Sequence, residues 1–176
     1  MSQYNGHYWL VTLCLLMYCV VPITVSGNEK KHLPDVSLPD LSGKHHSLRE
    51  WKGQPLLINF WATWCAPCRM EMPELVALQT ELKRHQLQII GIALENKESV
   101  QAYLQNNPVN YPILLAPELG STLSAELGNR LGVLPFTVFV NDNGVIEETH
   151  MGLVSAELLR TWMKNHLRDH KPGRAE

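Results

Sequence analysis

An apolar run that leads into two cysteines and then into a helical pattern constrains this chain more than any other feature. Leu56-Leu57-Ile58-Asn59-Phe60-Trp61-Ala62 is short, apolar and preceded by Pro55, which reads as a buried strand. Trp64-Cys65-Ala66-Pro67-Cys68 follows, and Arg69 to Arg84 carries a helical pattern. Cys65 therefore stands where a strand hands over to a helix. Unpaired N–H groups and the helix dipole stabilise a thiolate at such a place, lower its pKa and make it a nucleophile at neutral pH. Two thiols separated by two residues also close a small disulfide ring with little backbone movement. The chemistry this points to is thiol–disulfide exchange.

Two other uses of a C-x-x-C pair compete with that reading. It could be half of a zinc site, but structural zinc needs about four ligands at definite spacing, usually from a second such pair or a paired histidine motif. The remaining cysteines, Cys14 and Cys19, lie far upstream, and the eight histidines are scattered apart from His45-His46. No metal site is expected. A purely structural disulfide is the second alternative. Pro67 and the strand–helix setting favour a working pair.

At 176 residues with a net charge of −2, the chain suits one domain plus a short extra segment, and nothing in its charge invites nucleic acid. The distribution of charge says more. Residues 1–28 hold no Asp, Glu, Lys or Arg, and Tyr8 to Val25 is almost wholly apolar. Residues 1–27 are read as a cleaved signal peptide or a membrane anchor. Val25-Ser26-Gly27 offers a small-residue cleavage context. Against export stand the lack of Lys or Arg before the run and the presence of Lys30-Lys31 after it. Cys14 and Cys19 are read as plain apolar residues of that segment.

Residues 28–34 read as a linker, 35–170 as the folded domain and 171–176 as a polar tail. Within the domain, Asp35 to Leu41 and His45 to Leu48 flank Ser42-Gly43 as a hairpin. Leu75, Leu78 and Leu82 make a core stripe on the helix after the cysteines. Leu87 to Leu94 is a second buried strand, parallel to the first through a right-handed crossover. Lys97 to Asn106 reads as a helix with Val100 and Leu104 inward, Tyr111 to Leu115 as a short strand, and Thr122 to Leu131 as a helix. Phe136 to Val140 and Val145 to Thr149 flank Asn143-Gly144 as a hairpin, and a last helix starts near Ser155 and ends near Arg168. This order indicates an α/β domain, a mixed sheet with helices on both faces.

Phe60-Trp61-Ala62-Thr63-Trp64-Cys65-Ala66-Pro67-Cys68-Arg69-Met70, with Pro73 five residues past the second cysteine, resembles the active-site segment of the thioredoxin superfamily. Chain length, the apolar leader and the long middle region resemble its membrane-anchored or periplasmic TlpA/ResA-type branch. The resemblance covers roughly residues 34–168. It implies a thioredoxin fold with an N-terminal β-hairpin and a central insertion between Glu95 and Leu131. It also implies that Pro135 is a cis-proline lying against the cysteines, with Leu134 presenting a backbone edge to substrate. ResA-like proteins carry a glutamate where this chain has Glu71, and Asn59 stands where thioredoxins proper place a buried acid.

Cys65, nearer the helix start, is expected to be exposed and to attack, and Cys68 to resolve the mixed disulfide. Glu71, one turn beyond Cys68, is the candidate acceptor of its proton, against the plainer reading of a solvated helix glutamate. Trp64 and Pro67 are expected at the substrate face, Trp61 in the packing beneath it, and Glu95 as a weaker acid–base candidate. The function expected is a thiol–disulfide oxidoreductase acting on protein thiols or disulfides, as a reductant in the periplasm or anchored in the inner membrane facing it. A membrane electron donor for re-reduction, a monomeric state and no cofactor beyond the redox disulfide complete the expectation. A copper chaperone using the two thiolates and a peroxidase of the peroxiredoxin kind are the alternatives.

Overall fold

A computed structural model describes residues 30–82 and 87–167. The leader, with Cys14 and Cys19, and the polar tail lie outside the described residues. Five strands form the central sheet in the order β5-β4-β3-β6-β7. They are β3 (Leu56–Trp61), β4 (Gln88–Ala93), β5 (Ile113–Leu115), β6 (Phe136–Val140) and β7 (Ile146–Met151). β3 lies at the centre and all six of its residues are buried. That burial explains why its sequence is a continuous apolar run rather than an alternating one. β4 pairs with β3 in parallel, Leu56 opposite Gln88 through Trp61 opposite Ala93, and β5 extends the parallel half. β6 and β7 complete the sheet antiparallel.

Successive β3 side chains serve two cores. Leu57 and Trp61 pack with helices α1 (Ala66–Leu82), α2 (Lys97–Asn106) and α4 (Ala156–Leu167) through Leu75, Val100 and Trp162. Leu56, Ile58 and Phe60 pack on the other face with α3 (Gly120–Glu126) through Leu123, and with the N-terminal hairpin of β1 (Ser37–Pro39) and β2 (His45–Ser47) through Leu38. Helices on both faces of a mixed sheet are what the sequence order indicated. The hairpin stands as a separate two-stranded sheet, while α2, β5 and α3 fill the expected insertion. Gly91 lets this packing close. A Cβ there would lie 2.6 Å from Ile113 Cδ1 and 3.1 Å from Trp61 Nε1.

Local chemistry sets the boundaries. Asn96 caps α2, its side chain accepting from the Ser99 N–H at 3.0 Å. Ser155 accepts from the Leu158 N–H at 3.1 Å and starts α4. α1 begins at Ala66, three residues earlier than the pattern from Arg69, and runs through Pro73. α3 ends at Glu126 instead of Leu131, because Gly128 takes φ +125°, a conformation a helix cannot hold. The segment read as a linker is docked at its end. His32 bridges to Val145, the Leu33 N–H donates to the Gly144 carbonyl at 3.0 Å, and Leu33 is buried. No helix of the described residues is long and apolar enough to cross a membrane.

Candidate active site

The C-terminal end of β3 delivers the cysteines. Ala62 accepts a hydrogen bond from the Cys65 N–H at 3.2 Å, closing a turn whose middle residues are Thr63 and Trp64. Cys65 is thus the residue just before α1, and its sulfur accepts from the Cys68 N–H at 3.2 Å. A side chain that accepts from the third helical residue is an N-cap, so Cys65 Sγ occupies the place where Ser or Asp usually sits. The same N–H and the helix dipole are available to a thiolate once the pair is reduced. Cys65 and Cys68 are joined by a disulfide with Cα atoms 5.3 Å apart.

Cys65 is the more accessible sulfur residue, but only at 5 % against 0 % for Cys68. The expectation of an exposed Cys65 is corrected here. Cys65 belongs to the buried core cluster that includes Leu57, Met72 and Leu75. The exposed group of the turn is Trp64, at 68 %. Pro67 is half-buried beside it. Trp61 points down into the core, 5.7 Å from the Tyr103 ring.

Glu71 is not a solvated helix glutamate. It is 2 % exposed. Its carboxylate accepts from Asn59 Nδ2 at 2.6 Å and from the Val154 N–H at 3.0 Å. Asn59 comes from β3 and also donates to the Thr137 hydroxyl on β6 at 3.2 Å. Burial pushes the Glu71 carboxyl up to about 7, against the lowering effect of those two hydrogen bonds. An acid held near neutrality can change protonation at ordinary pH. Burial also raises the Tyr111 phenol, and the nearby Glu71 charge adds to the shift.

The Leu134–Pro135 peptide, which leads into β6, is cis. The Pro135 carbonyl accepts from the Gly152 N–H at 2.8 Å. Leu134 is half-buried, and no backbone hydrogen bond among the described residues uses its N–H or C=O. Glu95 lies just past β4, at the end of the sheet where β3 finishes, as its place in the sequence suggested. Both of its carboxylate oxygens are taken by Thr63, one by the N–H and one by the hydroxyl. Sequence reading missed Thr63, Thr137, Tyr111 and Val154. Only Thr63, lying within the cysteine motif, carried any signal.

A family model described as AhpC/TSA family matches residues 30–149. The chain belongs to that family. It is 34 % identical over 135 residues to the thioredoxin-like protein YneN of Bacillus subtilis, covering 74 % of this chain and 76 % of YneN. Over 140 residues it is 31 % identical to the thiol-disulfide oxidoreductase ResA of Geobacillus kaustophilus, covering 79 % of this chain and 76 % of ResA. Its backbone is similar to the crystal structure of a thioredoxin-related protein from Neisseria meningitidis serogroup B, with a TM-score of 0.67 and 32 % identity, over 74 % of this chain and 98 % of that one. The fold is thioredoxin-like and the protein is a thiol–disulfide oxidoreductase of the ResA kind.

Proposed function

We propose that this oxidoreductase reduces disulfides of protein substrates outside the cytoplasm. Cys65 attacks, Cys68 resolves and Glu71 takes the Cys68 proton. The observation that carries the reading is the setting of the cysteine pair. Cys65 Sγ caps a helix, Cys65 is the more accessible cysteine, Cys68 is fully buried, and a carboxyl poised near neutrality lies one turn beyond.

The surface around the pair supports a polypeptide substrate. Seven large hydrophobic side chains are exposed among the described residues: Trp64, Met70, Leu119, Leu131, Val133, Met151 and Leu153. All seven sit on segments at the end of the sheet where β3 finishes. Trp64 and Met70 flank the cysteines, Leu119 follows β5, Leu131 and Val133 precede β6, and Met151 pairs with Phe136 at the start of β6. Exposed apolar groups gathered at one end of a domain mark an interaction site. The unpaired Leu134 backbone gives an extended substrate chain somewhere to hydrogen-bond.

In the reducing direction the Cys65 thiolate attacks one sulfur of a substrate disulfide. That bond breaks, one substrate thiolate leaves and a mixed disulfide forms. Glu71 accepts the Cys68 proton, and the Cys68 thiolate then attacks Cys65 Sγ. The second substrate thiolate leaves and the enzyme is left as the Cys65–Cys68 disulfide. Two electrons have passed to the substrate, and an external dithiol donor, which in this reading is membrane-held, must return them. The charge-free leader of residues 1–28 supports the extracytoplasmic placement, either as a signal peptide or as an anchor.

A Cys68→Ser variant is expected to trap covalent adducts with protein substrates, and Cys65→Ser to trap none. Adducts in the reverse pattern would overturn the assignment. A reporter active only outside the cytoplasm, fused after Arg168, is expected to be active. Activity of a cytoplasmic reporter alone would remove the export reading.

A further inference from the structure

We infer that Glu95 is a positioning residue for Cys65 that acts through Thr63; the inference rests on the exchange reaction proposed above. The turn that carries Cys65 has little of its own to hold it. One hydrogen bond closes it, from the Cys65 N–H to the Ala62 carbonyl at 3.2 Å, and its two middle residues are Thr63 and the exposed Trp64. Both oxygens of Glu95 grip Thr63, Oε2 accepting from the N–H and Oε1 from the hydroxyl, the latter at 3.0 Å. A carboxylate 32 residues away along the chain therefore fixes the residue two before the attacking sulfur.

The support behind the carboxylate is stiff on both sides. The Leu94 N–H donates to the Trp61 carbonyl at 3.0 Å, which carries the β3–β4 ladder one step past its last residue pair. Asn96, the next residue, caps α2. Glu95 thus spans the point where β4 ends and α2 begins and ties it to the point where β3 ends and α1 begins. Each junction braces the other. An acid–base part does not fit this geometry, since Thr63 occupies both oxygens and no hydrogen bond among the described residues joins Glu95 to a sulfur. A clamp does fit, because it holds Cys65 Sγ under the Cys68 N–H and sets where Trp64 stands at the mouth of the site.

Glu95→Gln and Glu95→Ala separate the clamp from the charge, since both variants are neutral at this position. In the glutamine variant the amide oxygen accepts the Thr63 N–H, and the amide nitrogen donates to the Thr63 hydroxyl, which accepts in turn. Alanine removes both bonds, and Thr63→Val removes only the hydroxyl one. Misplacing a reacting group by about 1 Å costs up to roughly a hundredfold in rate. Reduction of insulin disulfides is therefore expected to fall about tenfold or more in kcat/KM for Glu95→Ala, to stay within about twofold of wild type for Glu95→Gln, and to lie between for Thr63→Val. The apparent Cys65 pKa in a Cys68→Ser background, read from the pH dependence of iodoacetamide alkylation, is expected to be higher with alanine than with glutamine at position 95. Equal rates and equal Cys65 pKa values in the two Glu95 variants would overturn the clamp. So would a glutamine variant as impaired as the alanine one. Wild-type protein inert toward insulin would sink the proposed function instead, while the alkylation comparison would still decide the clamp. If the alanine variant does not fold, Thr63→Val against wild type carries the same comparison.

Discussion

Glu71 and Asp40 each accept hydrogen bonds from backbone and side-chain donors, yet the fold moves their protons in opposite directions. Asp40 turns the β1–β2 hairpin. Its Oδ1 accepts from the Ser42 N–H at 2.7 Å, the Ser42 hydroxyl at 2.6 Å and the Lys44 N–H at 3.0 Å, and its Oδ2 faces His46 Nε2 at 3.2 Å. The Ser42 hydroxyl leads in holding the Asp40 carboxyl well below the usual carboxylate range, and His46 and the backbone donors add to it. Glu71 has two donors, and burial outweighs them. Hydrogen bonds set the proton affinity of a carboxylate where water still helps solvate it. Once water is gone, two donors do not replace it. The hairpin carboxylate is therefore a fixed anion. The Glu71 carboxyl, on the helix that follows Cys65, is held near neutrality and can exchange a proton there.

The largest test of this contrast is stability against pH. The Glu71 carboxyl lies at about 7 in the folded chain against an ordinary 4.5. Between those values the folded state holds a proton that the unfolded state has lost, so stability falls as pH rises through that window and levels off above it. The shift corresponds to roughly 3 kcal/mol. Glu71→Gln is expected to remove this fall, so the wild-type minus variant difference in urea-unfolding free energy should slope between pH 4.5 and 8. A flat difference would mean that Glu71 is as well solvated as Asp40, and the contrast would break.

A second test moves from stability to chemistry. If the Glu71 carboxylate accepts the Cys68 proton, exchange in the wild type rises as Glu71 ionises near pH 7, and Glu71→Gln slows disulfide reduction at neutral pH by about tenfold or more. Simple repulsion between carboxylate and thiolate predicts the other outcome, a lower thiol pKa in the variant with exchange unimpaired. Rapid-mixing rates from pH 5.5 to 8.5, paired with thiol titration, separate the two. Rates and titration both matching wild type would leave Glu71 with no part in proton transfer.

Much of the fold that holds these two carboxylates was legible in the sequence, and the contrast between them was not, for a definite reason. β3 is a continuous apolar run because both of its faces are covered, and α2 spans Lys97–Asn106, as its pattern indicates. Asn143-Gly144 marks the β6–β7 turn, where Gly144 takes φ +78°. These are local signals that act within a few residues. The burial of Glu71 is not local, because the Val154 N–H that meets it lies 83 residues away, just before α4. A glutamate three residues past a cysteine on a helix reads the same whether or not another element covers it. Glu95 reads as a strand-end acid until β3 and β4 are aligned and Thr63 comes within reach. The early end of α3 turns on Gly128, whose left-handed backbone wins over a helical pattern continuing to Leu131.

The smallest expected effect belongs to the hairpin side of the contrast, and it tests whether Asp40 is held as an anion. His46 stands between two carboxylates, Nδ1 at 2.6 Å from Glu50 Oε1 and Nε2 at 3.2 Å from Asp40 Oδ2, with the Trp51 ring stacked 5.8 Å away. A neutral imidazole carries one N–H and can donate to only one of them, so holding both takes the charged ring. The Glu50 hydrogen bond leads in raising the His46 pKa above its ordinary 6.5, Asp40 adds to it, and partial burial and Lys44 oppose. A group raised in this way stabilises the fold fully below its unfolded value and loses that stabilisation as pH rises through its folded one. Asp40→Asn keeps an oxygen for Ser42 and Lys44 but turns an amide N–H toward Nε2, which then prefers to accept. The titration midpoint of His46, followed by NMR, is expected above 6.5 in the wild type and lower in the variant. Global stability at neutral pH should change less than in either Glu71 experiment, because the hairpin keeps most of its donors and water reaches this site. A wild-type midpoint at or below the ordinary value, or one that Asp40→Asn leaves unmoved, would show that Asp40 does not act on the ring as a fixed anion. The opposition between the two carboxylates would then rest on the burial of Glu71 alone.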